Sequence, residues 1–151
     1  MNLTVGDKAP EIDAKNEQGK PIKLSQFRGK KVVLFFYPKD NTPGCTKEAC
    51  NFRDNYALLK KKGYEVIGVS VDSEKSHQKF IDKFELPFTL ISDEDKKVVT
   101  DYGVWSLKKF MGREFMGTVR TTFVIDEKGV IEKIITKVDT ENSAEQVLSK
   151  G

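Results

Sequence analysis

A chain of 151 residues, 38% hydrophobic and 32% charged, has the composition of a folded domain rather than of a disordered segment. Its net charge of +3 is small and its lysines are mixed with acidic residues, so we expect no nucleic-acid partner. No apolar stretch reaches the ~18–20 residues of a membrane span, and no signal peptide is visible. We therefore expect one cytoplasmic domain over residues 1–151 with no membrane contact.

The first predicted elements are a hairpin and a buried strand. In PEIDAKNEQGKPIKLSQF, two short extended pieces flank the turn signal NEQG, which favours a β-hairpin near the amino terminus. The run KVVLFFY at 31–37 is continuous, apolar and rich in β-branched and aromatic residues. Such a run is typical of a central strand that is covered on both faces.

A helix over about 43–62 is predicted next, because Pro43 suits a first helical position and Gly63 suits a stop. Its apolar residues recur at steps of three and four and so form one buried stripe. The stripe consists of Ala49, Phe52, Tyr56 and Leu59.

The rest of the chain alternates between strands and helices. Strands are predicted at 64–72, at 88–93 and in TTFVID and VIEKIIT; helices are predicted in SEKSHQKFIDKFELP, in EDKKVVTDYGV and near 142–149. His77 is expected to be solvated on a polar helix face, and KFMGREFMG is expected to be a mobile loop. The alternation indicates an α/β fold with a central mixed β-sheet flanked by helices.

The chain contains two cysteines, Cys45 and Cys50, and one histidine, which are too few ligands for a structural zinc site. Two thiols in a cytoplasmic chain are either packing groups or a redox pair. Here they lie at the start of the helix that follows the first central strand, where the thioredoxin fold carries its cysteines. The spacing is C-x4-C, whereas a thioredoxin has C-x-x-C. We expect a thioredoxin-like fold with an N-terminal β-hairpin.

The residues around Cys45 favour a reactive thiol. With Thr42 or Asn41 as the N-cap, Cys45 falls in the first helical turn, where free N–H groups and the helix dipole stabilise negative charge. Gly44 weakens the helix by roughly 1 kcal/mol, but it suits a backbone that must approach a small ligand closely. Pro38 can wall the site without a competing N–H. Each residue also has an ordinary structural role, and the combination is what points to chemistry.

The segment PKDNTPGC resembles the P-x-x-x-[ST]-x-x-C motif of peroxiredoxins, the thiol enzymes that reduce hydroperoxides. The likeness extends to VGDKAPEI, YGVW and VRTTFVIDEKG, and Cys50 is similar to the resolving cysteine of the peroxiredoxin Q (bacterioferritin comigratory protein) subfamily. The resemblance implies that Cys45 is the peroxidatic cysteine and that Pro38 shields it. It also implies that Thr42, Gly44 and Arg120 hold the peroxide, with Arg120 beside the thiolate.

The resemblance further implies a catalytic cycle. Cys45 becomes a sulfenic acid, Cys50 condenses with it to a disulfide, and thioredoxin or another dithiol donor reduces that disulfide. No metal or organic cofactor is needed. Since the chain lacks the C-terminal second cysteine of typical two-cysteine peroxiredoxins, we expect resolution within one chain and a monomer.

Two other functions stay open on the sequence. A thioredoxin-like disulfide reductase has the same layout, but the C-x4-C spacing and the lack of a proline just before TTFVID count against it. A non-catalytic redox sensor would also use an oxidisable Cys45. Repeated turnover separates an enzyme from a sensor, which reacts with one equivalent of peroxide.

The spacing of the two cysteines predicts a conformational change. On an ideal helix, Cα atoms five positions apart are roughly 8.6 Å from each other. A disulfide needs a Cα–Cα distance of about 4.4–6.8 Å. We therefore expect residues 43–51 to be helical when reduced and unwound when Cys45 and Cys50 are joined.

Overall fold

The computed structural model describes residues 2–149, and a seven-stranded mixed β-sheet forms its centre. The strands of the described residues are β1 Asp13–Asn16, β2 Pro21–Lys23, β3 Lys31–Phe36, β4 Tyr64–Ser70, β5 Thr89–Ser92, β6 Trp105–Phe110, β7 Arg113–Thr118, β8 Thr121–Ile125 and β9 Ile131–Ile135. The sheet order is β2-β1-β5-β4-β3-β8-β9, and β6 and β7 pair separately. Strands β3, β4 and β5 run parallel, while β1 and β8 run antiparallel to their neighbours.

Helices cover both faces of the sheet. They are α1 Pro43–Asp54, α2 Tyr56–Lys61, α3 Glu74–Phe84, α4 Lys97–Asp101 and α5 Ser143–Leu148, with a short 3-10 helix at Leu24–Phe27. The α1–α2 pair connects β3 to β4 and α3 connects β4 to β5, as parallel neighbours require. Within residues 2–149, no helix is long and apolar enough to cross a membrane.

The core has two layers because β3 is apolar on both faces. Successive side chains of a strand point to opposite faces, so alternate residues of β3 enter different clusters. Val32, Leu34 and Phe36 pack with α4, and Val33 and Phe35 pack with α1, α2, α3 and α5. In the second layer the rings of Phe35 and Phe52 lie 4.8 Å apart. Burying each such side chain contributes about 1.5–3 kcal/mol, which fixes α1 on β3.

The observed architecture confirms the predicted mixed sheet, its flanking helices and the N-terminal hairpin, formed by β1 and β2. The element ends differ from the prediction. Strand β4 ends at Ser70 rather than at 72, and α3 ends at Phe84 rather than near Pro87. The earlier stop of α3 arises because Glu85 adopts a left-handed conformation, with φ of 52°.

The helix predicted over 43–62 is two helices, separated at Asn55. Asn55 has φ of −108° and ψ of 7°, and its side-chain amide donates to the Asn51 carbonyl at 2.8 Å. Asparagine side chains compete with the backbone for such carbonyls, which explains the break. The apolar stripe continues across it, since Phe52 and Leu59 are both fully buried.

The segment predicted to be a mobile loop forms the β6–β7 hairpin. Its turn consists of Met111 and Gly112, with φ of 52° and 77°. Positive φ at both central residues is the geometry that matches a two-residue turn to the strand twist, and a glycine adopts it readily. The prediction of a mobile loop is therefore wrong. The glycine of the Met-Gly pair was the sequence feature that is compatible with a two-residue hairpin turn.

Candidate active site

Cys45 lies in the first turn of α1, at the third position after the N-cap Thr42. The turn begins where β3 ends, so the thiol is placed at the carboxyl edge of the central strands. Its side chain is 1% exposed and packs in the layer between β3 and α1. The thiol is thus held in a fixed position beneath the helix N-terminus.

Arg120 is brought to this thiol by the sheet. Thr121, the first residue of β8, pairs with Phe36, the last residue of β3, and so Arg120 lies at the same edge as the start of α1. Its Nη2 donates a hydrogen bond to Cys45 Sγ at 3.2 Å. A guanidinium at this distance stabilises a thiolate both as a hydrogen-bond donor and as a positive charge.

Glu48 is a site residue that the sequence reading missed. It is fully buried one turn after Cys45, and its Oε1 accepts from Arg120 Nη1 at 2.9 Å. Ser143 of α5 donates to the other carboxyl oxygen at 3.3 Å. Burial raises the pKa of Glu48 to about 7, against the lowering effects of Arg120 and Ser143. One available signal was its position in the sequence, since a residue three after Cys45 shares its helix face.

Gly44 leaves room for the Arg120 side chain. A Cβ atom placed on Gly44 would lie 3.2 Å from Arg120 Nη2, which is closer than ordinary van der Waals contact. Among residues 2–149, no acceptor bonds the backbone N–H of Gly44 or of Cys45, as expected at a helix N-terminus. These N–H groups and the guanidinium form a small region that can bind an oxygen carrying negative charge.

Thr42 and Pro38 line the approach to α1. The Thr42 hydroxyl donates to the Lys39 carbonyl at 2.8 Å and makes no capping bond to the helix. A hydroxyl that donates one bond can still accept another, so Thr42 retains an acceptor for a substrate. Pro38 is half-buried, two residues after the end of β3.

Cys50 lies within the same helix as Cys45, is half-buried, and forms no disulfide with it. The helix is continuous from Pro43 to Asp54. The structure therefore has the conformation expected for the reduced protein, in which the two thiols are kept apart.

His77 is fully buried, so the prediction of a solvated histidine is wrong. It lies three residues before Phe80, on the side of α3 that faces the core. Its Nδ1 is 2.7 Å from Asp40 Oδ2, and its Nε2 is 2.9 Å from the Ile91 carbonyl oxygen. The spacing of His77 from Phe80 was a local sign of burial, but its hydrogen-bond partners could not be predicted because they are 37 and 14 residues away.

The site combines a buried thiol, a paired guanidinium and free backbone donors. This arrangement suits attack by sulfur on a small electrophile whose leaving group carries developing negative charge. The AhpC/TSA family model matches residues 5–134. The chain belongs to the AhpC/TSA family.

Relatives within the AhpC/TSA family match over almost the whole length. Peroxiredoxin Bcp of Bacillus subtilis is 44% identical over 98% of this chain and 94% of its own. Peroxiredoxin Bcp of Escherichia coli is 42% identical over 97% of this chain and 94% of its own. The resemblance to the peroxiredoxin Q subfamily is thereby confirmed.

Solved structures of this family share the fold. A cysteine mutant of PrxQ from Xylella fastidiosa is 30% identical and superposes with a TM-score of 0.92, over 98% of this chain and 94% of that chain. Bacterioferritin comigratory protein from Xanthomonas campestris, described with alkyl peroxide reduction activity, is 33% identical with a TM-score of 0.85. That match covers 91% of this chain and 87% of the other. The thioredoxin-like fold predicted from the sequence is confirmed.

Proposed function

We propose that this protein is a thiol-dependent peroxidase that reduces hydrogen peroxide and organic hydroperoxides, with Cys45 as the nucleophile. The observation that carries the proposal is the 3.2 Å contact between Arg120 Nη2 and Cys45 Sγ at the N-terminus of α1. The alkyl peroxide reduction activity named for the Xanthomonas campestris relative supports organic substrates.

The first step is attack by the Cys45 thiolate on one peroxide oxygen. The S–O bond forms as the O–O bond breaks, and the leaving oxygen takes a proton to become water or an alcohol. Cys45 is thereby oxidised to a sulfenic acid. Arg120 and the N–H groups of Gly44 and Cys45 would bind the peroxide and stabilise the charge on the leaving oxygen. The Thr42 hydroxyl oxygen would accept a hydrogen bond from the protonated oxygen of the peroxide.

The second step joins the two cysteines. The Cys50 sulfur attacks the sulfenic sulfur, a disulfide forms, and water leaves with the sulfenic oxygen. A dithiol protein such as thioredoxin then reduces the disulfide by exchange and is itself oxidised. Both cysteines belong to one chain, so the cycle needs no second subunit, and we propose that the protein works as a monomer in the cytoplasm. No metal or organic cofactor takes part.

A coupled assay with thioredoxin, its reductase and NADPH tests the function. The wild-type protein should consume many equivalents of hydrogen peroxide and of cumene hydroperoxide, whereas a redox sensor would consume one. Cys45→Ser should abolish consumption, because a serine hydroxyl is not ionised and is a poor nucleophile toward oxygen. Most of the activity remaining in Cys45→Ser would refute the assignment of the nucleophile.

Cys50→Ser is the matched variant. Its first turnover needs only Cys45, so the sulfenic acid should form at the wild-type rate, persist, and then oxidise further to sulfinic acid. Intact-mass spectrometry after one equivalent of peroxide should show a gain of oxygen rather than the loss of two hydrogens. The mass of a disulfide in this variant would show that Cys50 is not the resolving residue.

A further inference from the structure

A buried hydrogen-bond cluster lies behind the turn that leads into α1. Its centre is the side chain of Asp40, which is 3% exposed. Tyr37 donates to Oδ1 at 2.6 Å, and Ser76 donates to Oδ2 at 2.8 Å, where His77 Nδ1 also lies at 2.7 Å. The Asp40 backbone N–H donates to Asp72 Oδ2 at 2.8 Å. One residue of the turn is thus fixed by both its backbone and its side chain.

Both ring nitrogens of His77 face oxygen acceptors in this arrangement. Its Nε2 faces the Ile91 carbonyl oxygen, which can only accept, so this nitrogen bears a hydrogen. Its Nδ1 faces a carboxylate oxygen and also donates. Burial lowers the pKa of His77, but the hydrogen bond and charge of Asp40, together with the Ile91 carbonyl, outweigh that effect and raise it. The arrangement therefore favours an imidazolium beside the buried Asp40 side chain.

The turn that Asp40 anchors contains one residue in the left-handed region. Asn41 has φ of 59°, a conformation that few L-residues other than asparagine and aspartate adopt readily. Thr42 closes the turn by donating to Lys39, on the other side of Asp40, and α1 begins at the next residue. Since Cys45 lies only five residues after Asp40, release of this anchor would loosen the first helical turn.

We propose that Asp40 and His77 are positioning residues, which hold the turn at 38–42 and thereby keep the first turn of α1 and Cys45 in the reactive geometry. The inference rests on the proposed peroxidase function. Neither side chain contacts Cys45 through a hydrogen bond, so their effect is transmitted through the backbone of the four residues 41–44. The P-x-x-x-[ST]-x-x-C motif does not specify this cluster, because its fixed positions are only Pro38, Thr42 and Cys45.

Among the charged and titratable groups around His77, Asp40 is the main partner of the imidazolium. Tyr37 approaches from the end of β3 and Asp72 from the end of β4, while β5 contributes only a carbonyl group. Lys75 and Lys79 of α3 are exposed at the rim of the neighbouring cavity. Asp40, Asp72 and His77 lie close enough together to hold a metal ion, but protein donors already occupy both Asp40 oxygens and Asp72 Oδ2.

The test compares His77→Gln with Lys79→Gln, an exposed residue of the same helix, in a Cys50→Ser background. Two readouts do not need peroxide: the rate of Cys45 alkylation by iodoacetamide, and amide exchange over 41–46. The third is the rate of sulfenic acid formation with hydrogen peroxide. Circular dichroism and thermal unfolding establish that each variant is folded. If His77→Gln does not fold, Ser76→Ala removes one donor to Asp40 and should give a smaller effect in the same direction.

In His77→Gln we expect alkylation and peroxide reaction to be about tenfold slower at pH 7, since a buried charged hydrogen bond is lost. Amide exchange over 41–46 should be faster, and Lys79→Gln should match the wild type. The difference in rate between His77→Gln and the wild type should be largest below the pKa of His77. It should become smaller as the pH rises through that pKa, because wild-type His77 then loses its positive charge and resembles the neutral glutamine.

Two outcomes separate this inference from the proposed function. If His77→Gln is folded and its rates and exchange stay within about twofold of wild type at every pH, the positioning role is refuted while the peroxidase stands. If the wild type fails to turn over peroxide, the proposed function is refuted, and alkylation and exchange still decide whether Asp40 and His77 position Cys45.

Discussion

At Cys45, one side chain supplies the positive charge and a second side chain fixes its direction. Arg120 contacts Cys45 through Nη2 and Glu48 through Nη1, so both ends of the planar guanidinium are used. Burial lowers the pKa of Arg120, but Cys45 and Glu48 raise it above its ordinary value, and the residue is charged at any working pH. The planar shape matters as much as the charge, because an ammonium group cannot address two partners in this fixed geometry.

Arg120→Lys should therefore slow the reaction of Cys45 with peroxide by roughly a hundredfold, as for the loss of a preorganised donor to a developing negative charge. The fold should be retained. Stopped-flow measurement of sulfenic acid formation checks this, with Arg113→Lys on the exposed β7 strand as the control. A rate equal to that of the control would remove Arg120 from the site.

Gly44→Ala should separate stability from activity. Alanine favours a helix over glycine by about 0.5–1 kcal/mol, so the thermal stability should hold or rise slightly. The new methyl group would lie 3.2 Å from Arg120 Nη2 and would displace the guanidinium by a few tenths of an ångström. We expect the peroxide rate to fall about tenfold while the unfolding temperature is kept, since small misplacements of catalytic groups are costly. An unchanged rate would mean that Arg120 has room to adjust.

At the scale of elements, α1 is held just beyond the segment that we expect to unwind. Asn51 follows Cys50 directly, and its side chain makes two bonds with the C-terminal segment. Its amide nitrogen donates to the Glu141 carbonyl, and its oxygen accepts from the Ala144 N–H, both at 2.8 Å. Formation of the proposed Cys45–Cys50 disulfide would therefore compete with the docking of α5 on α1.

Asn51→Ala should speed disulfide formation after the sulfenic acid appears, roughly threefold to tenfold, because two hydrogen bonds that hold the helix are removed. Lys47→Gln is the matched control: Lys47 pairs with Glu141 at 3.3 Å, but the pair is exposed and contributes little. Oxidation of the wild type should speed amide exchange over 43–51 and leave 56–61 protected. Equal exchange in the two redox states would refute the unwinding.

At the scale of the whole molecule, Glu48 links the site to the pH dependence of stability. Its pKa is about 7 in the folded protein and 4.5 as an ordinary carboxyl, so between these values the folded state binds more protons than the unfolded state. The free energy of unfolding should then fall as the pH rises from 4.5 to 7. The contribution of Glu48 to the free energy of unfolding is fully present below pH 4.5, and it is about 3 kcal/mol at most.

Glu48→Gln should remove this contribution, so its stability relative to wild type should increase as the pH is raised from 4.5 to 7. Urea denaturation at several pH values measures the difference, and the groups common to both proteins cancel. A constant difference across this range would show that Glu48 has an ordinary carboxyl in the folded protein. Peroxide reactivity should fall in the same variant, because a neutral amide orients Arg120 less strongly.

The sequence predicted the fold well where the signal was local. The apolar run of β3, the proline at the start of α1 and the glycine turn between β8 and β9 each specify their own conformation. The buried polar residues could not be predicted in this way. Helix spacing could place Glu48 and His77 on the buried faces, but their burial is stabilised by Arg120 and Asp40, which are 72 and 37 residues away along the chain.

The break between α1 and α2 at Asn55 affects how much apolar surface the protein exposes each time it is oxidised. If unwinding is confined to residues 43–51, Phe52 stays buried ahead of this break, and α2 and Leu59 remain packed on the sheet throughout the cycle. The apolar side chains that become exposed are then the small ones of Cys45 and Ala49, while the large aromatic groups stay covered. The disulfide form would then expose little apolar surface that could cause aggregation and only a short segment that proteases could cleave. It could therefore accumulate during peroxide stress and still be recovered by reduction.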